Sequence, residues 1–120
     1  MQQRIGAPVK EYGRIQLRAI ADRPSEYWVD VLYDEDSNRR LFIGTIGVGE
    51  SDLDGVVKRL HESLHTHNVS LTELRQGISR ATDATEREQL EYHLHVNKEF
   101  YQLIAAAVDE LEARRDEQKR

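Results

Sequence analysis

Residues 85–117 read TEREQLEYHLHVNKEFYQLIAAAVDELEARRDE, and this stretch decides much of the fold. Apolar side chains recur in it at alternating four- and three-residue steps, which predicts one long helix with a coiled-coil-like stripe. The stripe consists of Leu90, Leu94, Asn97, Tyr101, Ile104, Val108 and Leu111. A helix of this length is about 50 Å long, whereas a compact chain of 120 residues is roughly 35 Å across.

The predicted helix is therefore longer than the domain to which it belongs. The two shorter helices that the sequence predicts before it cannot cover its whole stripe. We expect the stripe to form a homodimer interface with the same helix of a second copy, with Asn97 setting the register. The alternative is that the helix kinks or frays after Leu111, so that its polar end needs no partner.

Two shorter helices are predicted before this one, at residues 51–68 and 70–82. Ser51 begins a pattern that resembles a capping box, and Ser70 begins another. Asn68 suits the left-handed residue that often ends a helix. These local signals predict a break between the two helices.

The first half of the chain is predicted to be a three-stranded antiparallel meander over residues 14–48. Residues 14–21 alternate polar and apolar side chains, and residues 27–33 and 40–48 are rich in β-branched and aromatic ones. A polar hairpin loop joins the last two strands, and the N-terminal arm, residues 1–13, is expected to cover one side of the sheet. The predicted fold is α+β, with a single domain over residues 1–120.

Neither face of the predicted sheet has enough polar character to face water, and helices can cover only one of them. If Tyr33 lies opposite Arg40, Tyr27 pairs with Ile46, and four large side chains share the other face. They are Trp28, Leu32, Leu41 and Ile43. Either the chain covers this face itself or a partner does, and we predict that these four residues bind a protein partner.

Composition limits the kinds of function that remain open. The chain has 17 Lys and Arg against 22 Asp and Glu, for a net charge of −5, and no segment is strongly basic. This pattern argues against nucleic-acid binding. No cysteine is present, which removes a disulfide scaffold and a thiolate nucleophile and fits a cytoplasmic protein. No apolar run is long enough to cross a membrane.

One short motif suggests chemistry. His61-Glu62-Ser63-Leu64-His65 resembles the H-E-x-x-H signature of zincin metallopeptidases. The resemblance implies that His61 and His65 bind zinc and that Glu62 activates water as the catalytic residue. However, Glu62 falls opposite the apolar stripe of its helix and no third ligand occurs in a matching motif, so we predict no cofactor and keep the zinc-dependent hydrolase as an alternative.

A second alternative is a nucleotide or small-anion binder. Arg114 and Arg115 near the end of the last helix could hold an anion in a pocket between subunits, with Tyr101 supplying an aromatic wall. The favoured prediction is a small non-enzymatic binding or regulatory protein of the inhibitor, immunity or adaptor type. We expect it to form a homodimer through its last helix and to bind a macromolecular partner.

Overall fold

The computed structural model describes residues 5–33, 36 and 38–118. It contains a four-stranded antiparallel sheet with strand order β1-β2-β3-β4, followed by two helices. The strands are β1 (Ile5–Tyr12), β2 (Ile15–Ile20), β3 (Arg23–Leu32) and β4 (Arg40–Gly47), and the helices are α1 (Leu53–Arg80) and α2 (Ala84–Gln118). The predicted α+β class is confirmed, but the numbers of strands and helices are not.

The N-terminal segment forms a fourth strand rather than an arm. β1 pairs with β2 across a tight turn at Gly13, whose φ of 60° suits glycine. The register shifts on both sides of Pro8, which has no N–H for the ladder. Pro8 therefore interrupts the sequence pattern that would have predicted a strand. The sheet tolerates a proline here because β1 is an edge strand. In the predicted hairpin loop, residues 34, 35 and 37 lie outside the described residues.

The two shorter helices predicted at 51–68 and 70–82 are one continuous helix, α1. Asn68 and Ser70 lie in its interior, where the Asn68 carbonyl accepts a hydrogen bond from the Thr72 hydroxyl. The N-cap is Asp52, whose side chain accepts from the Gly55 amide, so the predicted cap at Ser51 is also wrong. The capping signals were real local preferences that the packing of α1 along α2 outweighs.

The predicted last helix is confirmed almost residue for residue. It begins after a turn in which the Asp83 side chain accepts from the Thr85 amide, 3.3 Å away, and the Arg87 guanidinium donates to the Ala81 carbonyl, 2.9 Å away. These bonds use groups that a helix end otherwise leaves unpaired. The chain reverses direction at this turn, and α2 runs back along α1.

The main core lies between the inner face of the sheet and one half of each helix. The sheet contributes Ile15, Leu17, Val29, Val31 and Ile46, and the helices contribute Val56, Val57, Leu60, Leu103, Ile104, Ala107, Val108 and Leu111. The core residues of α1 come from its beginning and those of α2 come from its end. The other halves of the two helices extend beyond the sheet, and we call residues 68–80 and 84–98 the distal hairpin.

Candidate binding surface

The outer face of the sheet, turned away from the helices, carries a nearly buried carboxylate and a stacked aromatic pair. Val29 and Val31 point into the core, so their neighbours Trp28 and Asp30 lie on the outer face. In the strand register Trp28 is opposite Arg18, and Asp30 is opposite Phe42. Because both helices pack on the inner face, no layer of the described chain covers this outer surface.

A nearly buried carboxylate organises the surface. The Asp30 side chain is only 6% exposed, and its Oδ2 lies 3.2 Å from Arg18 Nε and 4.0 Å from Arg40 Nη1. Its Oδ1 accepts a 2.7 Å hydrogen bond from the Trp28 indole. Two cations around one anion leave a local charge of +1 if all three are ionised. These contacts hold the indole and the Arg18 guanidinium in fixed positions.

An aromatic pair forms the apolar part of the same surface. The Trp28 and Phe42 rings stack with their centroids 3.7 Å apart and their planes 28° apart. Phe42 is nevertheless 45% exposed. Its free face borders a shallow pocket that Arg18, Asp30 and Arg40 also line. The surface thus combines a flat apolar platform with cationic groups beside it.

A bulge in β4 changes which residues share the outer face, compared with the sequence prediction. Tyr27 lies opposite Ile46 as predicted, but the register shifts between Val29 and Asp30. Beyond the shift, Leu41 and Ile43 pack against the core, so the predicted common face is wrong for both of them. Leu32 is half-buried and Trp28 lies on the outer face. Phe42 was missed because a one-residue slip exchanges the two faces of a strand.

The bulge also alters the free edge of the sheet. Gly44 has a φ of 118°, a left-handed conformation that favours glycine. From α1, the Arg59 guanidinium donates to the carbonyls of Ile43 and Thr45 on either side of it. At the opposite edge, Pro8 and the irregular register interrupt β1. Both edges are therefore poor templates for strand addition.

The H-E-x-x-H residues lie on the solvent-exposed side of α1. His61, Glu62 and His65 are all exposed, and His61 Nε2 lies 2.6 Å from Glu112 Oε1 on α2. Among the residues that the structure describes, no three His, Cys, Asp or Glu side chains are grouped so that they could hold a metal ion. The position of His61 identifies it as a link between the two helices.

His61→Ala is accordingly expected to lower the free energy of unfolding by no more than about 1 kcal/mol, because the pair with Glu112 is solvent-exposed. His95→Ala is the matched control, since His95 pairs with Glu99 within α2 alone. Urea denaturation gives the stability of both variants, and elemental analysis of the purified wild type tests for zinc. Stoichiometric zinc that disappears in His61→Ala would contradict this role for His61.

The residues proposed for an anion site are separated within one chain. Arg115 Nε lies 3.8 Å from Asp54 Oδ1, and Arg114 lies beside the Gly13 turn. Tyr101 is 13 residues before Arg114 on the same helix, a distance of about 20 Å along its axis. A single subunit therefore does not assemble this pocket. Its formation between subunits stays a prediction.

The predicted dimer stripe is divided between two environments. Ile104, Val108 and Leu111 are buried in the chain's own core. Within one chain they are already covered, so their assignment to a dimer interface stays a prediction that this packing disfavours. Leu90, Leu94, Asn97 and Tyr101 remain half-buried. The difference arises because α1 and the sheet together cover the end of α2, whereas only α1 accompanies its beginning.

No family model, curated protein or solved structure matches this chain. Neither helix in the described ranges combines the length and the apolar character that crossing a membrane would require.

Proposed function

We propose that this chain is a small non-enzymatic binding protein that recognises a protein partner through the outer face of its sheet. The observation that carries the proposal is the exposed Phe42 ring, stacked on Trp28. Large apolar side chains that a chain leaves uncovered, in a setting of fixed polar groups, are typical of interaction sites. Strand addition at the sheet edges is the other common way to recruit a partner, and the bulge and Pro8 disfavour it.

The composition of the surface favours a protein partner over a nucleic acid. Trp and Arg are the side chains that most often supply the binding energy at the centre of protein interfaces, and Phe is enriched there. Nucleic acid instead requires a series of free cations along the phosphate backbone. Here Arg18 is already engaged by Asp30, and the whole chain carries a net charge of −5. A partner that offers an apolar group beside a hydrogen-bond acceptor or an anion fits this surface.

This partner would be held without being chemically changed. The two oxygens of Asp30, the carboxylate of the outer face, are already engaged by Trp28, Arg18 and Arg40. A general base needs a free lone pair within reach of substrate. We therefore place the protein with inhibitors, immunity-type proteins and adaptors, which act by occupying a surface of another protein.

Phe42→Ser is expected to weaken partner binding about tenfold or more, because it removes the exposed ring at the centre of the proposed contact. Val69→Ser is the matched control, since Val69 is 43% exposed and Phe42 is 45% exposed, but Val69 lies on α1. The immobilised wild type and both variants are compared in capture from host lysate, and the captured protein is then titrated against each.

Circular dichroism and thermal melting establish that both variants are folded. Retention of partner by Phe42→Ser together with its loss by Val69→Ser would overturn the proposal and move the binding site to the helices. A partner that binds equally to all three proteins would contradict the proposal as well.

A further inference from the structure

The distal hairpin continues the core-facing stripes of both helices past the point where the sheet ends. On α2, Ile104 lies in the core, and Asn97 and Leu90 follow it at seven-residue intervals. On α1, Leu60 lies in the core and Leu74 is two such intervals further along. Residues seven apart lie on nearly the same side of a helix. The same side that faces the sheet in one half therefore faces solvent in the other.

A shallow groove marks this uncovered side. Leu74 and Leu90 form its floor, and Gly77 leaves room for the Leu90 side chain, which an added Cβ would contact at 3.4 Å. Its rim is polar and comprises Ser70, Glu73, His93 and Asn97. The floor leucines are only half-buried, in contrast to the fully buried Leu60. Two helices alone cannot close such a groove, whereas a second pair of helices can.

The chain as a whole exposes more surface than a compact monomer of the same mass. The accessible surface of the chain is 8046 Å² for 13.9 kDa, whereas a compact monomer of this mass exposes about 6,700 Å². The radius of gyration is 16.6 Å, compared with about 14 Å for a compact chain of this length. The excess of roughly 1,300 Å² is comparable with the area that each subunit buries in a stable homodimer.

We infer that the distal hairpin docks on the distal hairpin of a second copy of this chain, giving a two-fold symmetric four-helix bundle. The hairpins must run antiparallel, because the groove and the sheet lie on the same side of the helices. A parallel pair would bring the two sheets into collision. In the antiparallel arrangement each hairpin fills the space beyond the other's sheet, and the same residues of both chains meet across the axis.

This dimer places the two sheets at opposite ends of the helical bundle. If the outer sheet face binds a partner, which rests on the proposed function, the dimer presents two such faces that point away from the bundle. Two linked sites raise the apparent affinity for a partner that is multivalent or immobilised, with no additional contact. The self-association itself depends only on the helices and can be tested without a partner.

The test is the molecular mass in solution, measured by sedimentation and by light scattering at micromolar concentration. The wild type is expected to have twice the 13.9 kDa chain mass. Leu90→Glu is expected to raise the dimer dissociation constant tenfold or more, because it places a charge on the groove floor. Tyr92→Glu is the control, since Tyr92 is two residues away and 66% exposed, and it is expected to stay dimeric.

Ser70→Arg provides a second variant in case Leu90→Glu loosens the hairpin, because it obstructs the rim without removing an apolar side chain. A wild type that is monomeric at these concentrations would overturn the inference. The inference would also be overturned if the Leu90→Glu and Ser70→Arg variants were folded and still dimeric. A dimer that dissociates only in Phe42→Ser would show instead that the chain self-associates through its sheet. If Phe42→Ser stays dimeric but no longer captures a partner, the inferred helical dimer stands.

Discussion

Asp30→Ala is expected to lower the free energy of unfolding by about 3–5 kcal/mol, the usual cost of removing one member of a buried ion pair. The Arg18 side chain is 13% exposed, so without Asp30 it retains its charge with little water to solvate it. The Trp28 indole also loses its acceptor. Urea denaturation followed by circular dichroism measures the stability.

Fluorescence provides a second measurement at the same site, because Trp28 is the only tryptophan. Its emission is expected to shift in Asp30→Ala even under conditions in which the chain stays folded. The control is the double variant Arg18→Met with Asp30→Leu, which replaces the Arg18–Asp30 pair by apolar groups, leaves only the more exposed Arg40 charged, and is expected to recover most of the stability. Equal stability of wild type and Asp30→Ala would contradict the description of Asp30 as the organising group of the outer face.

Gly44→Val is expected to destabilise the protein by about 3 kcal/mol, for two additive reasons. The φ of 118° at Gly44 is one that a β-branched residue rarely adopts. An added Cβ would also collide with the Arg59 guanidinium and displace it from the carbonyls that it binds. The urea midpoint, measured by circular dichroism, should fall accordingly.

Gly49→Val is the matched control, because an added Cβ at Gly49 meets nothing within 4 Å. Its expected effect is within about 1 kcal/mol. If the two variants are equally stable, the bulge is not the strained feature that the backbone geometry indicates. Because loss of the Arg59 contacts frees two carbonyls near an edge strand, we also expect Gly44→Val to aggregate faster than Gly49→Val.

The outer face and the distal hairpin have different relations to the core. On the outer face, Trp28 and Asp30 are held in position by side chains of the same sheet, so the surface exists before a partner binds. On the distal hairpin, Leu74 and Leu90 lack a covering layer. A preformed surface needs little ordering when it binds, whereas an uncovered apolar groove gains most from permanent burial. These properties suit the proposed reversible partner site and the proposed lasting subunit contact, respectively.

The sequence by itself determined the α+β class and the course of α2, because an apolar stripe that continues at helical spacing from Leu90 to Leu111 leaves few alternatives to a single helix. The three strands β2 to β4 were also predictable from local sequence: residues 14–21 alternate polar and apolar side chains, and residues 27–33 and 40–48 are rich in β-branched and aromatic ones. The site was predictable only in part. Trp28 was identified, but Phe42 and the Asp30 network were not.

Tertiary structure alone decided three features. Packing along α2 kept α1 helical through Asn68 and Ser70, since a capping preference worth about 1 kcal/mol cannot compete with a continuous helix interface. Pairing with β2 recruited β1 despite Pro8. The bulge at Gly44 moved Phe42 to the outer face, because one inserted residue exchanges the two faces on which the side chains beyond it lie. Local sequence patterns do not encode these outcomes, since each depends on residues that are distant along the chain.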